Sequence, residues 1–444
     1  MTALLYTLGL VAFFLAILAS IGLHELGHLI PAKRFGGKVT QFFVGFGPTL
    51  WSRKPRAGQE TEVGIKAFPL GGYVKIVGML PPGPSGEQRD SNTGMFTQLI
   101  SDARQAEWEH VTPADEPRLF YKMAWWKKVI VMAGGPTVNL LIAFVCYLAI
   151  FGLYGERTTV ADAGRPVLAE VTQCVIPYVE NRTTCQAGDP ESPAAVAGLE
   201  AGDEITSFNG TAVTSWAQLK ALVQANDDGA ATLRFLRDGV EQEATTNTTV
   251  EARPTGTSST TETLRQVGFL GVTPTSHTEV THGGPIYTLR QMAGMAKDSV
   301  VSFVHLPAKV WGVAKAIAGV EDRAADSPVS IVGGSRYAGE AVSSSDFPLT
   351  EKLVFLASLV GGFNLFIGLF NFIPLLPLDG GHIASALWEG LRRGVARLLG
   401  RPDPGFVDAA KLLPIAYVVA SAMLVMGVVL IVGDLVVPVH LTAE

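Results

Sequence analysis

The strongest chemical signal in the sequence is five residues long, His24-Glu25-Leu26-Gly27-His28. On a helix the two histidines, four apart, project from one face and can share a tetrahedral zinc ion. The glutamate between them stands beside that face and can take a proton from a water the metal activates. Two satisfied core histidines would be the plain structural explanation. It fits poorly, because an ionisable residue at a membrane-helix centre costs about 2.5–3.5 kcal/mol and three of them end one apolar run. A catalytic zinc keeps three protein ligands and an open fourth position, so one ligand must come from elsewhere. The nearest acids, Glu60 and Glu62, lie in a stretch that reads as strand. A better donor is Asp379, in the run Asn371-Phe-Ile-Pro374-Leu-Leu-Pro377-Leu-Asp379-Gly380-Gly381-His382, expected at the end of the third apolar helix. His382 is a competing ligand, and an N-cap role for Asp379 in the following helix is the structural alternative. Asn371 either hydrogen-bonds substrate backbone or a developing oxyanion, or caps and kinks the helix before Pro374.

These groups need an apolar scaffold, and the composition supplies one. The 444 residues are 48% hydrophobic and 17% charged, with a mean hydropathy of +0.30. The charged share is below the roughly 25% of soluble domains, so a polytopic α-helical membrane protein with a soluble part attached is expected. There is too much apolar surface for a mainly disordered chain. A net charge of −6 and a pI near 5.8 give no footprint for nucleic acid. Four charge-free stretches are long enough to span a bilayer: Ala3–Leu23, Val129–Leu153, Leu353–Leu378 and Leu412–Gly433. The first lacks a basic n-region and a small-residue cleavage site and runs straight into the metal motif, so it reads as a retained helix. Lysine and arginine cluster at Lys33, Arg34, Lys38, Lys122, Lys127 and Lys128, and again at Arg392, Arg393, Arg397, Arg401 and Lys411. By the positive-inside rule residues 33–128 and 379–411 face the cytoplasm, with both termini and residues 154–352 outside. The metal motif and Asp379 then meet near the cytoplasmic side.

Together the two motifs resemble the site-2 protease family of intramembrane zinc metalloproteases: H-E-x-x-H in a first membrane helix and N-x-x-P-x-x-x-L-D-G in a later one. A PDZ-like module between the second and third spans makes the chain similar to the regulator-of-sigma-E type of these bacterial proteases. Phe43-Val-Gly-Phe-Gly-Pro48, Pro69-Leu-Gly-Gly-Tyr-Val-Lys75, Gly135-Pro136 with Asn139, and Ser327-Pro-Val-Ser-Ile-Val-Gly333 carry the resemblance across nearly the whole chain. A long polar stretch at about 79–118 departs from the pattern. With a single PDZ module, it resembles the actinobacterial branch, whose members act on anti-sigma factors. The resemblance implies one zinc held by His24, His28 and Asp379, with Glu25 as general base. It also implies substrates that are single-pass transmembrane proteins already cut once on the outside, in regulated intramembrane proteolysis and transmembrane stress signalling.

The remaining segments fit around that site. Residues 1–32 form the first span with its motif, and 33–128 face the cytoplasm. Within the latter, residues 40–78 read as short strands at Phe42–Phe46, Glu62–Ala67 and Gly72–Ile76, punctuated by Gly45, Gly47, Gly71 and Gly72. In the family this stretch is a re-entrant β element; an ordinary cytosolic hairpin is the alternative. A strand edge there, with Gly71 and Gly72 as substrate-binding positions, can pair with an unwound substrate. Gly134-Gly135-Pro136 and Asn139, in the second span (129–153), read as helix packing. Residues 160–275 form the PDZ module, signalled by Ser192-Pro-Ala-Ala-Val-Ala-Gly198-Leu-Glu-Ala-Gly202-Asp203 and the Asn209-Gly210 turn. Val196 and Leu199 are expected to pack its short helix. Its groove would take peptide C-termini, or its bulk would exclude substrates with large external domains; the size filter is preferred. Cys174 and Cys185 fall outside, where a disulfide is allowed. Residues 276–352 read as an amphipathic helix (286–319) against the membrane surface or the base of the PDZ module and a polar, serine-rich link (321–346), 353–382 as the third span with its Leu-Asp-Gly motif, and 412–437 as the fourth. Asn181 lies in a sequon without meaning in a bacterial protein, and His110 reads as a surface residue. Two other functions compete: a membrane-anchored zinc protease of quality control, and a catalytically silent PDZ adaptor.

Overall fold

A computed structural model describes residues 2–55, 60–82, 105, 108, 111–178, 184–254 and 264–440. Most of the polar stretch at 79–118, with Asn181 and His110, lies outside the described residues. The chain divides into two compact units, residues 1–154 with 283–444 and residues 155–282.

In the first unit, α1 (Thr2–Arg34) runs unbroken through the metal motif, because Pro31 falls in its last turn. At 1.5 Å per residue its 33 residues extend about 50 Å, well beyond the roughly 30 Å of an apolar bilayer core. Gly9, Phe13, Ile17, Ser20 and His28 form one buried stripe along it, at the three-and-four spacing of a helix face. The strands β1 (Val39–Arg53) and β2 (Glu62–Ile76) pair along most of their length. Their register doubles back, since residues 41–44 pair with 72–75 on one side and with 62–65 on the other, while 51–53 pair with 63–65. The sheet therefore has two outer edges, one at 72–76 and one at 49–53.

The helix α2 (Trp125–Ala149), extended by a wider turn to Tyr154, crosses α1 where Gly27 meets Gly134. A Cβ on Gly134 would collide with the Gly27 carbonyl oxygen, so the two backbones touch with no side chain between them. The helices α3 (Pro285–Ile317), α4 (Ile331–Ser343), α5 (Leu349–Asn371), α6 (Asp379–Leu398) and α7 (Leu413–Val436) complete the unit.

Three expectations change here. Asp379 does not end the third apolar helix: α5 stops at Asn371, Pro374 and Pro377 interrupt the backbone, and Asp379 opens α6. The residues 321–346 are not merely a link. They contain α4, which buries Gly333, Gly334, Ala338 and Gly339 and approaches α1 so closely that a Cβ on Gly9 would strike the Ala338 carbonyl. Finally, five described helices rather than four are long and apolar enough to cross a membrane, the fifth being α3. It does not simply lie on a surface: its Phe303 ring meets Phe366 and Phe370 of α5 at 4.9 and 5.4 Å, and Val313 is buried beside Gly433 of α7.

The second unit holds a four-stranded sheet in the order 211–212, 204–208, 230–237, 240–247, with helices at Pro193–Val196 and Trp216–Ala225. Ser192 and Ser215 cap those helices through their hydroxyl oxygens. Leu168, Leu199, Ile205, Phe208, Leu219 and Leu233 form its core. Asn209 and Gly210, both at positive φ, make the tight turn. Arg237 donates to both Asp203 oxygens at 2.8 Å. Leu199 is buried as expected, but Val196 is 60% exposed and stands outside the core. Cys174 and Cys185 are joined by a disulfide.

The tie between α7 and α4 gives the first prediction. Asp434, 2% exposed, accepts hydrogen bonds from Arg323 at 2.8 Å and from the backbone N–H groups of Ser330 and Gly333 at the start of α4. An Asp434→Ala change strands a buried guanidinium, a defect costing about 3–5 kcal/mol. Thermal unfolding of the purified full chain is expected to show a clear drop, and an unchanged midpoint would show that the tie carries no stability.

Candidate metal centre

The buried stripe of α1 carries His24 and His28 one above the other, and the first residue of α6 brings Asp379 against them. His24 Nε2 and His28 Nε2 lie 3.3 Å apart, and Asp379 Oδ2 is 3.4 Å from the first and 3.3 Å from the second. Among the described residues, this is the one group of three such side chains whose donor atoms converge. Tetrahedral donors on zinc, at about 2.0–2.1 Å from the ion, stand about 3.3–3.4 Å from one another. The three atoms therefore match the edges of one face of a zinc tetrahedron, so the residues present fit the ion.

The tautomer of His28 is set from behind. Its Nδ1 is 2.8 Å from the carbonyl oxygen of Val131 in α2 and donates to it, which leaves the Nε2 lone pair facing the centre. Val131, Gly135 and Asn139 follow one another at four-residue spacing along the face of α2 turned to α1. A Cβ on Gly135 would sit 2.7 Å from His24 Nε2 and closer still to His28 Nε2, so only glycine leaves room for the ligands.

Asp379 is held by its helix and by the turn before it. Gly380 and Gly381 let the 372–378 segment fold back onto the start of α6, where a Cβ would strike the Ile373 carbonyl or the Leu376 nitrogen. Further along, Glu389 of α6 pairs with Lys128 of α2 at 2.8 Å, both side chains buried, and accepts the Val407 N–H at 3.2 Å. On the other side Asn364 of α5, 1% exposed, donates to Ser20 Oγ at 3.0 Å, one turn from His24. Hydrogen bonds of this kind join helices where no water competes.

A cavity of about 840 Å³ opens onto the three donor atoms. Glu25, Gly71, Gly72, Asn371 and His382 all line it, so every site residue expected from the sequence comes to one place. Gly72 is in closest contact: a Cβ there would lie 2.8 Å from Glu25 Cγ. His382 borders the cavity but stands outside the converging triad, which carries Asp379 instead. Sequence reading missed Asn139, assigned there to packing. It is 3% exposed and lines the cavity, and among the described residues its Oδ1 has no hydrogen-bond partner. Its four-residue step from Gly135 was the available signal. Gly135 itself was assigned to helix packing alone, although it is also the clearance for both imidazoles.

Comparison with known proteins bears on this geometry. The profile of Peptidase family M50 matches residues 12–398. The chain is 34% identical over 447 residues to the zinc metalloprotease Rip1 of Mycolicibacterium smegmatis, covering 98% of this chain and 99% of that protein. It is also 34% identical to zinc metalloprotease Rip1 of Mycobacterium tuberculosis, over 99% of this chain and all of the relative. A putative zinc metalloprotease of Mesorhizobium japonicum is 28% identical over 88% of this chain and 90% of its own length.

Substituting Gly135 tests whether the fit is as tight as it looks. Gly135→Ala should displace both imidazoles and lower the zinc bound per purified chain by about tenfold or more, as read by elemental analysis, since a clash of this size forces a ligand out of place. Wild-type zinc content in that variant would mean that α2 can yield without disturbing the ligands.

Proposed function

The chain belongs to peptidase family M50 and is a zinc metalloprotease, and we propose that His24, His28 and Asp379 hold its single zinc ion while Glu25 serves as general base. The observation that carries this reading is the donor triangle with 3.3–3.4 Å edges, with Glu25 bordering the same cavity. Zinc held there supplies Lewis acidity, polarising a peptide carbonyl and making a water nucleophilic near neutral pH. Glu25 takes the proton of the attacking water and hands it to the leaving amine nitrogen. Asn371 donates to the substrate backbone or to the oxygen on which negative charge develops.

The substrate class we infer is the transmembrane segment of a single-pass protein, such as an anti-sigma factor, after a first external cut. A membrane helix hides its carbonyls in i→i−4 hydrogen bonds, so the segment must be unwound before it is cut. The 72–76 edge of the sheet borders the cavity and offers a strand for an extended segment to join. Gly72 keeps that edge free of a side chain beside Glu25, and Gly71 does the same beside the Phe46 ring.

We read four crossings, with both termini and the 155–282 unit extracytoplasmic and the zinc near the cytoplasmic side. A fifth crossing by α3 would put the two ends of the chain on opposite faces, against the loop charges. It would also place Lys297 and Asp298 near the middle of a span, at about 2.5–3.5 kcal/mol each. We read the 155–282 unit as a single PDZ domain acting chiefly as a size filter. A cavity of about 350 Å³ lies between its Trp216–Ala225 helix and the 267–272 segment, where a peptide C-terminus would be seated if the groove is used.

The test is a tagged single-pass reporter with a shortened external domain, co-expressed with the full chain. Wild type should release a cytosolic fragment, and Glu25→Gln should reduce its rate of formation by about 10²–10⁴-fold while keeping its zinc. Asp379→Ala should lose the zinc as well. Equal cleavage by wild type and Glu25→Gln would remove the catalytic assignment. Full zinc in Asp379→Ala would remove the third ligand.

A further inference from the structure

A second cavity, of about 700 Å³, opens between the last turn of α1 and the 49–53 edge of the sheet, the edge away from the metal centre. Its charges do not balance. In its lining Arg118 grips Glu60 through two hydrogen bonds of 2.7 Å, and outside the lining Lys38 pairs with Asp115 at 2.8 Å. Both acids are fully engaged: the Arg118 guanidinium holds the Glu60 carboxyl below its ordinary range, and Lys38 with Thr112 brings Asp115 down to about 2. Lys33, Arg53 and Lys54 line the same cavity, and among the described residues none of the three has a carboxylate partner.

The cavity also has an apolar side. The register Trp51↔Ile65 and Arg53↔Val63 places Trp51 and Arg53 on one face of the strand, about 7 Å apart. Trp51 and Val63 line the cavity and are 56% and 37% exposed, and Ile65, paired with Trp51 at its margin, is 47% exposed. Along this one strand, exposed indole and aliphatic surface gives way within two residues to unpaired cations. That is the polarity profile across the headgroup region of a lipid leaflet, where tryptophan sits at the acyl boundary and arginine or lysine reaches the phosphates.

We propose that this cavity seats the phosphate of an anionic phospholipid, held by Lys33, Arg53 and Lys54, with Trp51 and Ile65 against its glycerol and upper acyl chains. A free phosphate would engage the cations and leave the apolar ladder unused, so the lipid is the better-matched source. The site lies on the opposite edge of the sheet from the metal centre and does not rest on the proteolytic reading.

The experiment reconstitutes the full chain in phosphatidylcholine vesicles containing brominated phosphatidylglycerol or brominated phosphatidylcholine. Quenching of Trp51 is obtained by subtracting a Trp51→Phe variant. Brominated phosphatidylglycerol should quench Trp51 at lower mole fraction than brominated phosphatidylcholine. That preference should fall about fivefold for each of Lys33→Gln, Arg53→Gln and Lys54→Gln. In the wild type it should weaken as salt is raised, a measurement that needs no variant to fold. Equal quenching by both lipids, or a preference indifferent to salt, overturns the proposal. Loss of the preference on adding millimolar inorganic phosphate assigns the site to free phosphate and overturns the lipid reading.

Discussion

The contact on which the rest depends is between two backbones, Gly27 of α1 and Gly134 of α2, with no side chain between them. Gly27 belongs to the metal motif itself, so the closest approach of the two helices and the ligand pair occupy the same turn. That closeness brings the Val131 carbonyl within reach of His28 Nδ1 and leaves Gly135 directly over both imidazoles. A helix pair set apart by even a methyl group would lose the hydrogen bond that orients one ligand. Van der Waals packing of small residues is the natural way to secure such closeness in lipid, where apolar side chains gain little by leaving one hydrocarbon surface for another.

Buried polar ties then fix the other helices to this pair. Ser20 with Asn364 holds α5 to α1, Lys128 with Glu389 holds α6 to α2, and Arg323 with Asp434 holds the approach to α4 against α7. Each joins parts of the chain more than 100 residues apart. A buried ion pair adds little stability over an apolar pair of equal size, but breaking one is costly, so its main effect is to penalise wrong registers. The Lys128–Glu389 tie matters most for chemistry, because α6 carries Asp379 and cannot slide along α2 without stranding the buried Lys128.

The parts of the site legible in the sequence were those whose residue types have few other uses. Histidines four apart around a glutamate, after an apolar run, and an aspartate beside glycines after another, were enough to name the three side chains whose donor atoms converge. What stayed hidden was set by contact rather than composition. Asn139 reads as one polar residue in an apolar helix until its face is known. α4, with its glycines, serines and an internal arginine, reads as a link, because its small residues show their value only against the backbone of α1. The end of α5 was placed too late because residues 372–378 are as apolar as the helix before them, and only the two prolines mark the break. α3 was read as amphipathic because charges interrupt its apolar face, although Phe303 stacks its ring edge on α5 and Val313 is buried beside α7.

The donor triangle unites residues 24 and 28 with residue 379, and the helix carrying the last donor is anchored through Glu389. A growing chain therefore holds His24, Glu25 and His28 in its first helix long before Asp379 can join them. Until the final fifth of the protein has been synthesised and threaded into place, Asp379 is missing from the triangle. With the proposed donor set, a hydrolase assembled in this order would gain its metal centre only as its last helices come into place.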